Sequence, residues 1–204
     1  MQIKTFVLSE YMSNCYLLYR NQEAIIIDPG AESQVVVDFI KEKQLTVKAI
    51  YATHGHIDHV GGIRFLKKRF KCPTYAPKKD HVWFHETPYN RLGYQIPIDH
   101  FVGEGDTLTL DNDVFTIYET PGHSEGGTVL YQPNLNICFS GDTLFRRSVG
   151  RTDLPFGNFQ QLEQSILKMY RLFPEDTIVY PGHGPTTTIG DEKRQNPFVH
   201  MIGA

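Results

Sequence analysis

Five of the nine histidines in this 204-residue chain fall in three short segments. These are Thr53-His54-Gly55-His56-Ile57-Asp58-His59, Pro121-Gly122-His123 and Pro181-Gly182-His183-Gly184. A fourth segment, Ser140-Gly141-Asp142-Thr143, adds a carboxylate. Neutral imidazoles and carboxylates are good ligands for zinc and other divalent transition metals. The candidates His54, His56, Asp58, His59, His123, Asp142 and His183 are too many for one tetrahedral ion and suit two metals sharing one carboxylate. Such a pair lowers the pKa of a shared water to about 7 and polarises a carbonyl. The chemistry expected is hydrolysis without a serine or cysteine nucleophile.

Side chains so far apart in sequence need a scaffold that brings them together. Val47–Ala52 precedes the first segment, Val114–Glu119 the second, Thr177–Tyr180 the third and Ile137–Ser140 runs into the fourth; each reads as a strand. Ala24–Ile27 is a further apolar strand, stopped by Asp28-Pro29-Gly30. Strands ending at one sheet edge would make their loops converge. Ile3–Leu8, Cys15–Tyr19, Thr107–Leu110 and Thr128–Tyr131 also read as strands. Apolar residues at helical spacing mark Ser33–Lys43, the stretch holding Ile63, Phe65, Leu66 and Phe70, and Phe159–Leu172. Hairpins mixed with helix–strand units predict helix-covered sheets, an α/β sandwich. Asp80–Gly105 reads as a loop bearing Trp83, Phe84, Tyr89 and Tyr94. It is either a surface excursion packing its own aromatics or a lid or pocket wall.

Composition narrows the class. A hydrophobic fraction of 40% excludes a disordered chain, and the length suits one domain over residues 1–204. Twenty Lys+Arg against 23 Asp+Glu give a formal charge of −3, which argues against a nucleic-acid partner. The three cysteines, Cys15, Cys72 and Cys138, have no paired spacing, so a reducing cytoplasm is the expected setting. No run approaches the roughly 18 apolar residues of a membrane span, and no signal peptide is visible.

Thr53-His54-Gly55-His56-Ile57-Asp58-His59-Val60-Gly61-Gly62 resembles the signature of the metallo-β-lactamase superfamily, with His123, Asp142 and His183 following in that family's order. The resemblance implies an αββα sandwich, two mixed sheets flanked by helices, with a dinuclear site at one edge. It implies that His54, His56 and His123 hold one metal, that Asp58, His59 and His183 hold the other, and that Asp142 bridges them. Asp28 matches an early aspartate that orients the histidine loop rather than binding metal. Zinc is the expected metal, with iron or manganese as alternatives.

The ligand set excludes several branches of that family. β-Lactamases of this fold typically carry cysteine where Asp142 stands, flavodiiron proteins carry glutamate at the position of His56, and the nucleases add long insertions. What remains resembles glyoxalase II and its relatives. Arg151 stands nine positions after Asp142, where glyoxalase II has a basic residue contacting the thiol carrier of its substrate. Asp153 stands where that family has an aromatic residue. Only 21 residues follow His183, too few for the separate C-terminal substrate-binding domain, and Gly182–Gly190 resembles a short, single-domain bacterial group.

The implied activity is metal-dependent hydrolysis of a small-molecule acyl-thiol, with Asp58 and Asp142 as catalytic carboxylates. Gly150-Arg151-Thr152-Asp153 also resembles the persulfide dioxygenases, which use a single ferrous ion. A third reading is a non-catalytic metal-bound domain that docks a partner through Trp83, Phe84, Tyr89 and Tyr94. Arg151 reads equally as a substrate contact or a structural ion-pair partner. Arg146 and Arg147 read as solvated, His81, His85, His100 and His200 as surface or loop residues, and Cys138 as core. Oligomeric state and acyl group stay open.

Overall fold

The computed structural model describes residues 1–85 and 88–200, without the side chains of Val199 and His200, so the reading of His200 lies outside the described residues. Antiparallel strands β1 (Gln2–Leu8), β2 (Ser13–Arg20) and β3 (Glu23–Ile27) open the chain. Helix α1 (Gln34–Glu42), capped by the Ser33 hydroxyl accepting from Val36 N, crosses to β4 (Thr46–Tyr51), parallel to β3. Helices α2 (Ile57–Val60) and α3 (Ile63–Phe70) lead to β5 (Thr74–Pro77), and α4 (His81–Phe84) precedes β6 (His100–Val102). The first sheet has the order β1-β2-β3-β4-β5-β6.

Strands β7 (Thr107–Leu110), β8 (Asp113–Glu119), β9 (Thr128–Gln132) and β10 (Ile137–Gly141) form an antiparallel meander. A ribbon of β11 (Leu144–Phe145) and β12 (Ser148–Val149) follows. Helix α5 (Phe159–Leu172) then leads to β13 (Ile178–Pro181), parallel to β10, and to β14 (Thr187–Thr188). Helices α6 (Ile189–Gln195) and α7 (Pro197–His200) come last. The second sheet runs β14-β13-β10-β9-β8-β7.

Why β3 is apolar at consecutive positions follows from side-chain alternation. Ala24 and Ile26 pack towards Val36, Ile40, Ile63 and Leu66 of α1 and α3, whereas Ile25 and Ile27 meet Phe115, Leu130 and Phe139 of the second sheet. β10 behaves alike: Ile137 and Phe139 face the first sheet, and Cys138 faces Leu162, Ile166 and Met169 of α5. Helix, sheet, sheet and helix thus stack as an αββα sandwich with two mixed sheets. Ile25, Ile26 and Ile27 are fully buried, and each side chain contributes on the order of 2 kcal/mol by leaving water.

Helix α5 starts and ends as its periodicity predicts, and Ser165, buried on its core-facing side, donates to Pro121 O at 2.7 Å. Strand β5 lacks an alternation long enough to be read from sequence. Strand β6 and helix α4 fall within the stretch read as a loop, which is therefore partly structured. β6 is only three residues long, with His100 and Phe101 exposed at the sheet edge. Among the described residues no helix is long and apolar enough to cross a membrane.

Candidate metal centre

The loops after β3, β4, β5, β8, β10 and β13 meet at one edge of the sandwich, and they carry Asp28, His54 to His59, Asp80, His123, Asp142 and His183. Both sheets contribute, so close approach between loops is essential. A Cβ at Gly182 would collide with Asp142 Oδ1 and His59 Cε1, which explains glycine immediately before His183. Asn14 of β2 fixes that loop from the other sheet, with its Nδ2 donating to Pro181 O at 2.9 Å and Gly184 O at 2.8 Å.

All seven predicted ligands come together. One ring nitrogen from each of His54, His56 and His123 lies within 4.8 Å of the others, and the ligand atoms of Asp58, His59 and His183 form a second such group. Asp142 touches both: its Oδ2 is 3.4 Å from His123 Nε2 and 3.5 Å from His183 Nε2, and its Oδ1 is 3.3 Å from His59 Nε2. Asp58 Oδ2 lies 3.1 Å from His183 Nε2. The Nε2 atoms of His54 and His59 and Oδ1 of Asp142 are buried with no hydrogen-bond partner. Orphaned polar atoms cost about 1–3 kcal/mol each in a folded protein, and this cluster of lone-pair donors fits divalent cations.

Two acceptors orient imidazoles, and a third ties their loops together. Asp28, in the left-handed region at φ 51°, accepts from Thr53 N and Thr53 Oγ1, each at 2.7 Å, and from His59 Nδ1 at 3.0 Å. Three hydrogen bonds thus engage its oxygens, one of which also lies within 4.8 Å of ligand atoms of His54 and His59 as a third such group. The carbonyl of Arg151 accepts from His123 Nδ1 at 2.7 Å, which turns Nε2 towards His56 Nδ1 at 2.8 Å and Asp142 Oδ2 at 3.4 Å. Asp80, fully buried, accepts from Gly55 N at 2.8 Å, Ser124 Oγ at 2.8 Å and Gly126 N at 2.6 Å. It staples the His54–His59 loop to the His123 loop. Sequence reasoning missed Asp80; the signal available was an acidic residue shortly after a strand, masked because β5 is so short.

The charge states of His54, His56 and Asp142 suit metal binding. Burial, reinforced by neighbouring imidazoles, holds His54 well below its ordinary value and His56 down at about 3, so both are neutral. Burial alone would raise Asp142, but the charges of His59, His123 and His183 prevail and keep it ionised. Burial likewise opposes protonation of His59, yet Asp142 and Asp28 push it well above the usual histidine range.

His56, Asp58, His123, Asp142 and His183 floor a cavity of about 440 Å³ walled by Trp83, Tyr89, Leu154 and Pro155. The Trp83 ring centroid lies 4.6 Å from that of His56. Of the aromatic stretch, Trp83 and Tyr89 form a pocket wall, whereas Phe84 and Tyr94 pack against the core; Glu86 and Thr87 of that stretch lie outside the described residues. Arg151 also lines the cavity, and its guanidinium forks onto Asp153 with two contacts of 2.6 Å. Arg147 is not simply solvated. Its backbone N–H and Nη1 donate to the fully buried Glu192 carboxylate, each at 2.8 Å, because the ribbon and α6 close on each other. Cys138 is core, as expected.

Residues 8–183 match the metallo-beta-lactamase superfamily. The chain is 36% identical to hydroxyacylglutathione hydrolase GloC of Haemophilus influenzae, over 98% of this chain and 99% of the relative. It is similar to the crystal structure of the BLEG-1 B3 metallo-beta-lactamase, with TM-score 0.89 and 37% identity over 97% of this chain and 99% of that one. It is also similar to TTHA1623 in a di-iron-bound form, with TM-score 0.84 and 35% identity over 96% and 99% of the two chains.

Proposed function

This chain belongs to the metallo-beta-lactamase superfamily, and we propose that within it the protein is a dinuclear metal-dependent thioester hydrolase of the glyoxalase II type. The observation that carries this reading is the position of Asp142, in contact with members of both histidine groups. His54, His56 and His123 would hold one divalent ion and Asp58, His59 and His183 the other, with Asp142 shared. Zinc and a cytoplasmic setting belong to the same proposal. When bound, such ions lower the pKa of water towards neutrality and polarise a carbonyl oxygen.

The chain's own groups supply the rest. Asp58 lies beside His183 at the cavity floor, where its carboxylate can orient the attacking water and accept its proton. Trp83, Leu154 and Pro155 limit water at the reacting carbonyl. A thiolate is a stable leaving group and needs little acid assistance. The curated relative named as a hydroxyacylglutathione hydrolase, similar over nearly the full length of both chains, supports an acyl-thiol substrate.

The test is a substrate panel on metal-replete protein. S-Lactoylglutathione and simpler thioesters should release free thiol without oxygen uptake. Oxygen consumption and sulfite from glutathione persulfide, with no thioester cleavage, transfer the assignment to a persulfide dioxygenase. A β-lactam opened faster than every thioester moves the substrate class towards that of the BLEG-1 neighbour.

A further inference from the structure

Two guanidinium groups line the cavity, and they differ in what they already hold. Arg151 is engaged by both oxygens of Asp153, and both residues of that pair are exposed. An incoming carboxylate would have to share Arg151 with a resident one. Arg91 has no ion pair or hydrogen bond among the described residues. Building on the thioester-hydrolase reading, we propose that Arg91 is the specificity-determining cation, reading a carboxylate on the thiol carrier while Trp83 and Tyr89 hold the apolar stretch beside it.

Arg91 sits on a braced turn. Asn90 Nδ2 donates to His85 O at 2.9 Å and Tyr94 O at 2.8 Å, and Asn90 Oδ1 accepts from Leu92 N at 2.9 Å. Ile96 N donates to Phe84 O at 2.8 Å, closing the far end of the turn. Leu92 and Tyr94 pack against the core beneath α3, and the guanidinium of Arg64 lies 4.4 Å from the Tyr94 ring centroid. These hydrogen bonds hold the backbone that presents Arg91, and a held backbone lowers the ordering cost of binding.

The wall next to it is aromatic. Tyr89 lies 5.6 Å from Trp83 and 5.0 Å from Phe156 between ring centroids, and Trp83 flanks the metal-ligand floor through His56. A ligand that places its carbonyl at the floor meets the apolar wall next and Arg91 on the same cavity surface. The matching substrate class is an acyl-thiol whose carrier combines a short apolar linker with a carboxylate.

Trp83 is the sole tryptophan of the chain, so its emission reports occupancy of this wall without turnover. Titration with S-methylglutathione, a charged thioether that cannot be hydrolysed, should quench it saturably. Arg91→Gln should weaken that binding about fivefold, the effect of losing one exposed charge contact. The loss should exceed that seen with S-methyl-N-acetylcysteamine, an uncharged thioether, and exceed the effect of Arg151→Gln on the charged ligand. Rising salt should shrink the difference between wild type and Arg91→Gln. Wild-type affinity in Arg91→Gln, absence of saturable quenching, or loss of the charge preference in Arg151→Gln alone overturns the assignment. Hydrolysis of an uncharged thioester by the wild-type enzyme judges the thioesterase reading separately, because that assay does not depend on carrier charge.

Discussion

His59 donates from Nδ1 to Oδ2 of Asp28 at 3.0 Å, with both residues buried, and so presents Nε2 to Asp142 Oδ1 at 3.3 Å. The orientation of a ring on the metal floor is thereby set by a carboxylate at the end of β3, in the other sheet from the β10 strand that carries Asp142. Asp28→Asn removes the charge and offers the imidazole an ambiguous partner. Divalent-metal affinity should fall about 10- to 100-fold, the usual cost of losing such a partner. Competition with a fluorescent chelator measures it, and unchanged affinity would show that the loop orients itself.

Asp142 contacts both histidine groups, so its substitution should not be confined to one of them. Metal-replete wild-type protein should carry close to two divalent ions per chain, and Asp142→Asn should weaken both positions. Elemental analysis after equilibrium dialysis reads the stoichiometry. Saturation at one ion, with Asp58→Ala leaving affinity unchanged, rejects the dinuclear arrangement.

Asp80 accepts from Gly55 N, Ser124 Oγ and Gly126 N in a fully buried position. Asp80→Ala strands those three donors, at about 1–3 kcal/mol for each unsatisfied group before relaxation. Urea unfolding of the metal-free protein should show a net loss of about 3 kcal/mol. Metal affinity should fall as well, since Gly55 separates His54 from His56. Asp80→Asn, which keeps an acceptor oxygen, should recover part of both; wild-type stability in Asp80→Ala would remove Asp80 from this role.

Glu192 is fully buried and accepts from Arg147, Thr187 Oγ1 and Asn196 Nδ2. Arg147→Met leaves that carboxylate without its cation and should cost about 3–5 kcal/mol. Adding Glu192→Gln to Arg147→Met should restore much of the loss, which thermal or urea unfolding of the double variant can establish.

The cysteines should be silent in the native protein. Burial pushes the thiols of Cys15 and Cys138 far up, and that of Cys72 up to about 11. Thiolate accumulates only as pH rises through those values, so at pH 8 about one Cys72 in a thousand is ionised. Ellman's reagent at pH 8 should react negligibly with folded protein and with three thiols per chain after denaturation. Rapid native labelling of any one of them contradicts this burial.

The layers and the ligand segments were legible from the residues themselves. Ala24–Ile27 and Ile137–Ser140 announce strands buried on both faces, and Phe159–Leu172 shows a helical stripe, because period and burial are properties of neighbours along the chain. Glycine-flanked histidines after such runs mark loops at strand ends. What tertiary structure alone decided are the pairings across the sandwich. Asp80 meets Gly126 across 46 residues, Arg147 meets Glu192 across 45, and the His123 ring is oriented by a carbonyl 28 residues on. None of these has a local pattern. A hydrogen bond or ion pair depends on where the closing sheets bring two loops, and a shift of an ångström or two in that closure would make or break it.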